Sequence, residues 1–320
     1  MGWALAVVAL AASVSFAADA TGDKVLLKQK FTPGVWTMST TMAGEQSVTV
    51  DGNAQPAQQM SQTFVWVQDI SQPDKDGAKT LQMSLKQVKQ SMNVGAQSAA
   101  YDSTGPADKQ DPNFARVLGP ILKAKIVAKI GADGKVASVT GLNEIWDAVA
   151  KDTPEMATFA TQMKTQMGDN AIKDMITKSS EMLPEKAVGA GDDWQPTMKF
   201  NLPLAGECEV KQNCKLTEIQ AATAGKIAVI QYEGNGKSTK ETTTQMGAVT
   251  VTVQNMTSAQ KGQLKFNVDT GMIDSLTMNT DGVMEFTAPG PEGKTAKVVS
   301  KQKSKAEIFV TKGDAAPAAK

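Results

Sequence analysis

The chain has 320 residues, 41% of them hydrophobic, and its 33 Lys+Arg balance 33 Asp+Glu. That neutrality argues against nucleic-acid binding, which needs a concentrated basic face; Arg116 is the only Arg, so bidentate recognition of phosphate is poorly provided for. His is absent, which removes the commonest general base, the commonest zinc ligand and the His-containing triads together.

Residues 1–20 are apolar and end in small residues. The run Ala4–Phe16 suits a secretory signal and falls short of the ~20 residues of a bilayer span. Ser15-Phe16-Ala17 and Ala18-Asp19-Ala20 both show a small-x-small cleavage pattern, although no Lys or Arg precedes the apolar run. A signal peptide over 1–20, cleavage near Ala17 or Ala20, and export to the periplasm or cell surface are therefore expected. No second long apolar run follows, so the cleaved chain is not expected to be transmembrane.

Residues 21–141 read as an N-terminal β half. Leu81, Met83 and Leu85 interleave with Gln82, Ser84 and Lys86, the period of a strand with one buried face. Asp51-Gly52 and Asp133-Gly134, and later Asn235-Gly236 and Asp281-Gly282, read as hairpin turns.

Residues 142–184 change to a helical period. Leu142, Ile145, Trp146 and Val149 form one stripe; Met156, Phe159, Met163 and Met167 form a second; Ile172, Met175, Ile176, Met182 and Leu183 form a third. Thr153-Pro154-Glu155 has the chemistry of a helix start, and Pro184 ends the series.

Residues 185–311 read as a C-terminal β half, with alternation at Val249, Val251, Val253 and at Leu264, Phe266, Val268. The turns Gly134–Thr140 and Gly271–Thr277 share G-x-[VI]-x-S-[VL]-T, through either a duplication or reuse of one turn chemistry. Residues 312–320 are small and polar and are expected to fray. The predicted fold class is mainly β (α+β): a curved antiparallel sheet or open half-barrel, with two halves that read alike and a central two- to three-helix insert packed on one face.

Cys208 and Cys214 are spaced C-x5-C, with Gly206 and Lys211-Gln212-Asn213 reading as a turn. In an oxidising compartment they predict a disulfide pinning two strand ends; without His they are an incomplete zinc site. Gly236-Lys237-Ser238-Thr239 ends like a phosphate loop, but position 231 is Gln where that motif needs Gly. Asp192 and Asp193 are adjacent, so on a strand they diverge, and a turn into Trp194 is expected instead. No catalytic residue, metal or cofactor is predicted.

The run Leu183–Trp194 carries L-P-x-K-x-V-x-x-G-D-x-W, and Tyr101-Asp102-Ser103 and Asp133-Gly134-x-Val136 precede it in order. The sequence resembles, over roughly Lys24 to Val310, a family of exported bacterial β-rich proteins of unassigned function. In outline it is also similar to the half-barrel carriers of outer-membrane lipoproteins. The first resemblance implies no activity, and the second is architectural.

The Met-lined helices have two readings. They pack as ordinary core, or they form a lid over a cavity, with Met156, Phe159, Met163 and Met167 above and Phe64 and Trp66 below. The second implies an exported, non-catalytic protein that binds an apolar ligand such as lipid, or a lipidated envelope partner. The alternatives are a structural or adhesive envelope module and a carboxylate-dependent enzyme.

Overall fold

A computed structural model describes residues 24–152, 154–202, 205–223, 225–246, 249–290 and 294–313. The expected signal peptide, Thr153 and the end of the expected tail lie outside the described residues; Lys312 closes the last strand. In chain order the elements are β1 (Gly34–Val50), β2 (Asn53–Ala54), β3 (Gln58–Ile70), β4 (Lys79–Val94), β5 (Gln97–Asp102), α1 (Pro112–Lys123), β6 (Ile126–Ile130) and β7 (Val136–Thr140). Then come α2 (Leu142–Asp152), α3 (Ala157–Met167), α4 (Asp169–Ser179), β8 (Asp193–Trp194), β9 (Thr197–Leu202), β10 (Gly206–Ala222) and β11 (Gly225–Ser238). The last are β12 (Thr242–Met246), β13 (Val249–Asn267), β14 (Met272–Pro289) and β15 (Thr295–Lys312).

All strands join one antiparallel sheet, whose main path runs β7-β6-β4-β3-β1-β15-β14-β13-β11-β10-β8. The chain starts at the centre with β1 and meanders out to β7. The helices carry it to the opposite edge, and it meanders back to β15 beside β1. The sheet ends at β7 and β8, so it is open.

It is also curled. Laid flat, the eleven-strand path would be roughly 48 Å across at ~4.8 Å per strand. α4 packs on β7, and the 3-10 turn Ser180–Met182 that follows it packs on β9, which pairs with β10 beside β8. Asp169–Met182 spans only ~21 Å at ~1.5 Å per residue. The two edges must therefore approach each other around the helices.

Period-two alternation becomes two faces. The face toward the helices holds Trp36, Met38, Trp66, Leu81, Met83 and Leu85 of one half, packed against Phe114, Leu142, Ile145 and Ile172 of the helices. In the other half, Leu216, Ile230, Leu264 and Phe266 pack around Val25, Leu27 and Val188. The segment before β1 alternates too: Val25, Leu27, Gln29 and Phe31 are buried. It straps the halves together, exchanging backbone hydrogen bonds with Val188 (2.8 and 2.9 Å) and donating Lys30 N to Gly271 O (2.7 Å).

Three sequence expectations are corrected. Asn235-Gly236 and Asp281-Gly282 are not turns; they lie within β11 and β14. Gly236 sits there for lack of a Cβ, which would come within 2.6 Å of Ser258 Oγ. Lys211-Gln212-Asn213 is likewise strand, inside β10. The expected Cys208–Cys214 disulfide is absent, and both thiols are free and buried. Six residue steps along one continuous strand set their Cα atoms ~20 Å apart at ~3.3 Å per step, whereas a disulfide needs Cα atoms within ~7 Å.

Candidate functional site

The Leu183–Trp194 motif is a structural junction. Leu183 and Trp194 pack on the second half's core, and Trp194 Nε1 donates to Met182 O at 2.9 Å. Val188 holds the strap, and Gly191 adopts φ +97°, where a side chain is strained. Asp192 accepts from Gly189 N at 2.9 Å and meets Lys24 at 3.4 Å. The Gly189 hydrogen bond, then the Lys24 charge, lowers its carboxyl below the usual value. Tyr101-Asp102-Ser103 is also architectural: Tyr101 is core, while Ser103 exchanges hydrogen bonds with the backbone of Val88 (2.9 Å each).

The predicted ligand residues are divided between two places. Trp66 belongs to the core that β3 shares with the helices, and Phe64 and Met156 each pack against that core. Phe159 instead sets its ring edge-on to Trp146 at 6.4 Å, Met163 is buried, and Met167 O accepts from Trp146 Nε1 at 3.5 Å. The second stripe thus lies against α2.

Beyond the helices the same face continues outward, and cross-strand register defines its rows. One row reads Gln90–Gln62–Met42–Ala306–Met278–Gly262 from β4 to β13. The next reads Met92–Met60–Gly44–Ser304–Thr280–Gln260, and a third Val94–Gln58–Gln46–Gln302–Gly282–Ser258. Most of these residues are half-buried, and none is charged. At the far end Val253, Met256, Met284 and Phe286 form a small cluster with Cys208, and no helix residue joins it.

The opposite face carries the charge. Glu45, Lys303 and Asp281 are cross-strand neighbours, as are Lys305, Asn279, Lys261 and Glu233. A twisted sheet is saddle-shaped, so each face is hollow along one diagonal. Cavities of about 730 Å³ and 570 Å³ lie on this charged face and share Lys261 and Asn279. No helix residue lines either one.

Three of the five buried side-chain polar atoms without a partner among the described residues lie on the uncharged face, whereas Gln110 Oε1 and Thr311 Oγ1 lie elsewhere. Thr40 Oγ1, Trp66 Nε1 and Gln212 Oε1 have no hydrogen-bond partner among the described residues. Burial pushes the Cys208 thiol up to about 11, with Glu207 adding, and the Cys214 thiol up to about 12. Neither is a ready nucleophile or metal ligand. Among the described residues no group of three or more His, Cys, Asp or Glu is placed to hold a metal.

The model of one family matches residues 76–273, from just before β4 to the start of β14. The chain belongs to DUF6263, a family of unknown function. The match contains the motifs at Tyr101, Asp133 and Leu183, which in this DUF6263 chain lie at turns and junctions. No curated protein matches the chain. Among solved structures, a lipovitellin chain is similar at 11% identity and TM-score 0.44, over 91% of this chain and 27% of that one. The β domain of the Bordetella autotransporter BrkA matches at 9% identity and TM-score 0.23, over 86% and 99% of the two chains. Pseudomonas aeruginosa OccK2 matches at 7% identity and TM-score 0.19, over 87% and 98%. Scores this low carry no argument about ligand or role. Among the described residues no helix is long and apolar enough to cross a membrane.

Proposed function

We propose that this protein is an exported, non-catalytic envelope protein that binds an apolar chain on the uncharged face of its sheet. The observation behind this reading is the band from Met42 to Ser258. A sheet face left to water is normally charged, and one covered by a second layer is normally apolar and sealed. This band is neither: it is mostly half-buried, uncharged and includes Met42, Met60, Met92 and Met278. Met side chains adapt to irregular apolar partners, and each CH₂ buried there is worth ~0.8 kcal/mol. The apolar run at 1–20 supports export. The site so proposed lies beside Phe64 and Trp66 rather than under the Met156–Met167 stripe.

The test is uptake of a fluorescent fatty acid by the delipidated chain, with mass spectrometry of lipid retained on purification. Saturable uptake at micromolar concentration is expected. Absence of both uptake and retained lipid would remove the reading. A second reading, an envelope interaction module, draws on the cavities of the charged face, which offer both signs of charge to a polar partner.

A further inference from the structure

Two of the three polar groups that the described residues leave unsatisfied on the uncharged face are neighbours. Thr40 is 1% exposed and Trp66 is 7% exposed, and among the described residues neither Thr40 Oγ1 nor Trp66 Nε1 has a hydrogen-bond partner. A buried polar group without a partner is destabilising in a folded protein, so a neighbouring pair calls for a cause. They are diagonal neighbours: Trp66 lies opposite Met38, and Thr40 opposite Phe64, on adjacent strands β1 and β3. One step outward along β1 is Met42, and one further row out on β3 is Met60. The orphans therefore stand where the closed core gives way to the open band.

We propose that Thr40 and Trp66 seat the polar head of an amphiphile whose head is uncharged, with its tail along Met42, Met60 and Met92. This rests on the apolar-chain reading above and adds the ligand class. An indole N–H can only donate, so it requires an acceptor such as an ester or amide carbonyl. A Thr hydroxyl both donates and accepts, which suits a carbonyl or hydroxyl beside it. Among the described residues no charged side chain occupies this face from β4 to β13 between its rims, where Lys79 and Lys312 stand. A carboxylate or phosphate buried there would lack a counter-charge, and an unpaired buried charge is far costlier than an unpaired dipole. Charge complementarity thus selects a neutral head, such as a monoacylglycerol, over a fatty-acid anion of the same chain length. Met42, the next residue outward from Thr40 on this face, is half-buried and carries a flexible side chain.

The experiment is displacement of a bound fluorescent acyl probe from the delipidated chain at pH 8.5 by monolaurin and, separately, by laurate. Monolaurin is expected to bind at least tenfold more tightly. In Trp66→Phe/Thr40→Val the two affinities are expected to come within threefold of each other; Thr40→Val alone, nearly isosteric, serves if the double variant fails to fold. Laurate binding as tightly as monolaurin would overturn the neutral-head inference and leave apolar-chain binding standing. An unchanged ratio in the folded variants would overturn the assignment to Thr40 and Trp66. Binding of neither compound nor probe would overturn the apolar-chain reading itself.

Discussion

Cys208 and Cys214 lie on the same face of β10, paired with Ser238 and Tyr232 of β11. Burial in apolar surroundings penalises the thiolate, so their pKa values rise to about 11 and about 12. Each stays protonated below that range and is shielded as well. In the native chain at pH 8, a disulfide-exchange reagent is expected to titrate no thiol within an hour. After unfolding in guanidinium it should titrate both. Labelling of the native chain should accelerate only as pH climbs toward about 11. Two reactive thiols at pH 8, or none after unfolding without reductant, would contradict this placement. The sequence misleads here because Lys211-Gln212-Asn213 has turn-like composition. In a sheet with one charged face, Lys211 and Asn213 are simply outward positions, and Gln212 points to the uncharged side.

At the scale of elements, the helical insert is held by a reciprocal cap. Asp169, at the start of α4, accepts from Leu142 N at 2.9 Å and Asn143 N at 3.4 Å at the start of α2. Asn143 Oδ1 in turn accepts from Asp169 N at 3.3 Å. A carboxylate on exposed N–H groups at a helix start is favourable through both hydrogen bonding and the helix dipole. Asp169→Ala should lower unfolding stability by about 2 kcal/mol, measured by urea denaturation. A loss under about 0.5 kcal/mol, the level of an ordinary surface change, would contradict the cap. The stripes at Leu142–Val149 and Ile172–Leu183 were legible because their period is local. α1 went unread, although its signs are present. Asp111 accepts from Asn113 N and Phe114 N at 2.9 and 3.2 Å, Pro112 occupies the first turn, and Phe114 and Leu118 are buried four apart. Gly119 and Pro120 inside the helix hide that pattern.

For the whole molecule, the alternation reveals a sheet with two unlike faces but not its closure at the centre. β1 pairs with β15 from Trp36–Lys312 to Val50–Val298, and no local pattern encodes a register across nearly the whole chain. The strap is equally hidden, because Val25, Leu27 and Phe31 resemble any short strand until Val188 and Gly271 are placed beside them. The candidate site shares that difficulty. Gln46, Gln302 and Gln260 look like ordinary polar positions one strand at a time. Only the assembled register reveals a face without charge, and only burial reveals Thr40 and Trp66 as unpartnered.

The central claim is that this face, and not its charged reverse, receives an apolar chain. Adjacent positions on a strand point to opposite faces: Met60, opposite Gly44, belongs to the uncharged rows, and Ser61, opposite Ala43, to the reverse. The decisive measurement is uptake of an uncharged fluorescent acyl ester by Met60→Lys and Ser61→Lys, each first confirmed as folded by circular dichroism. Met60→Lys should weaken uptake at least tenfold, and Ser61→Lys should leave it within twofold of the parent chain. Equal losses in both variants, or a loss confined to Ser61→Lys, would contradict the account.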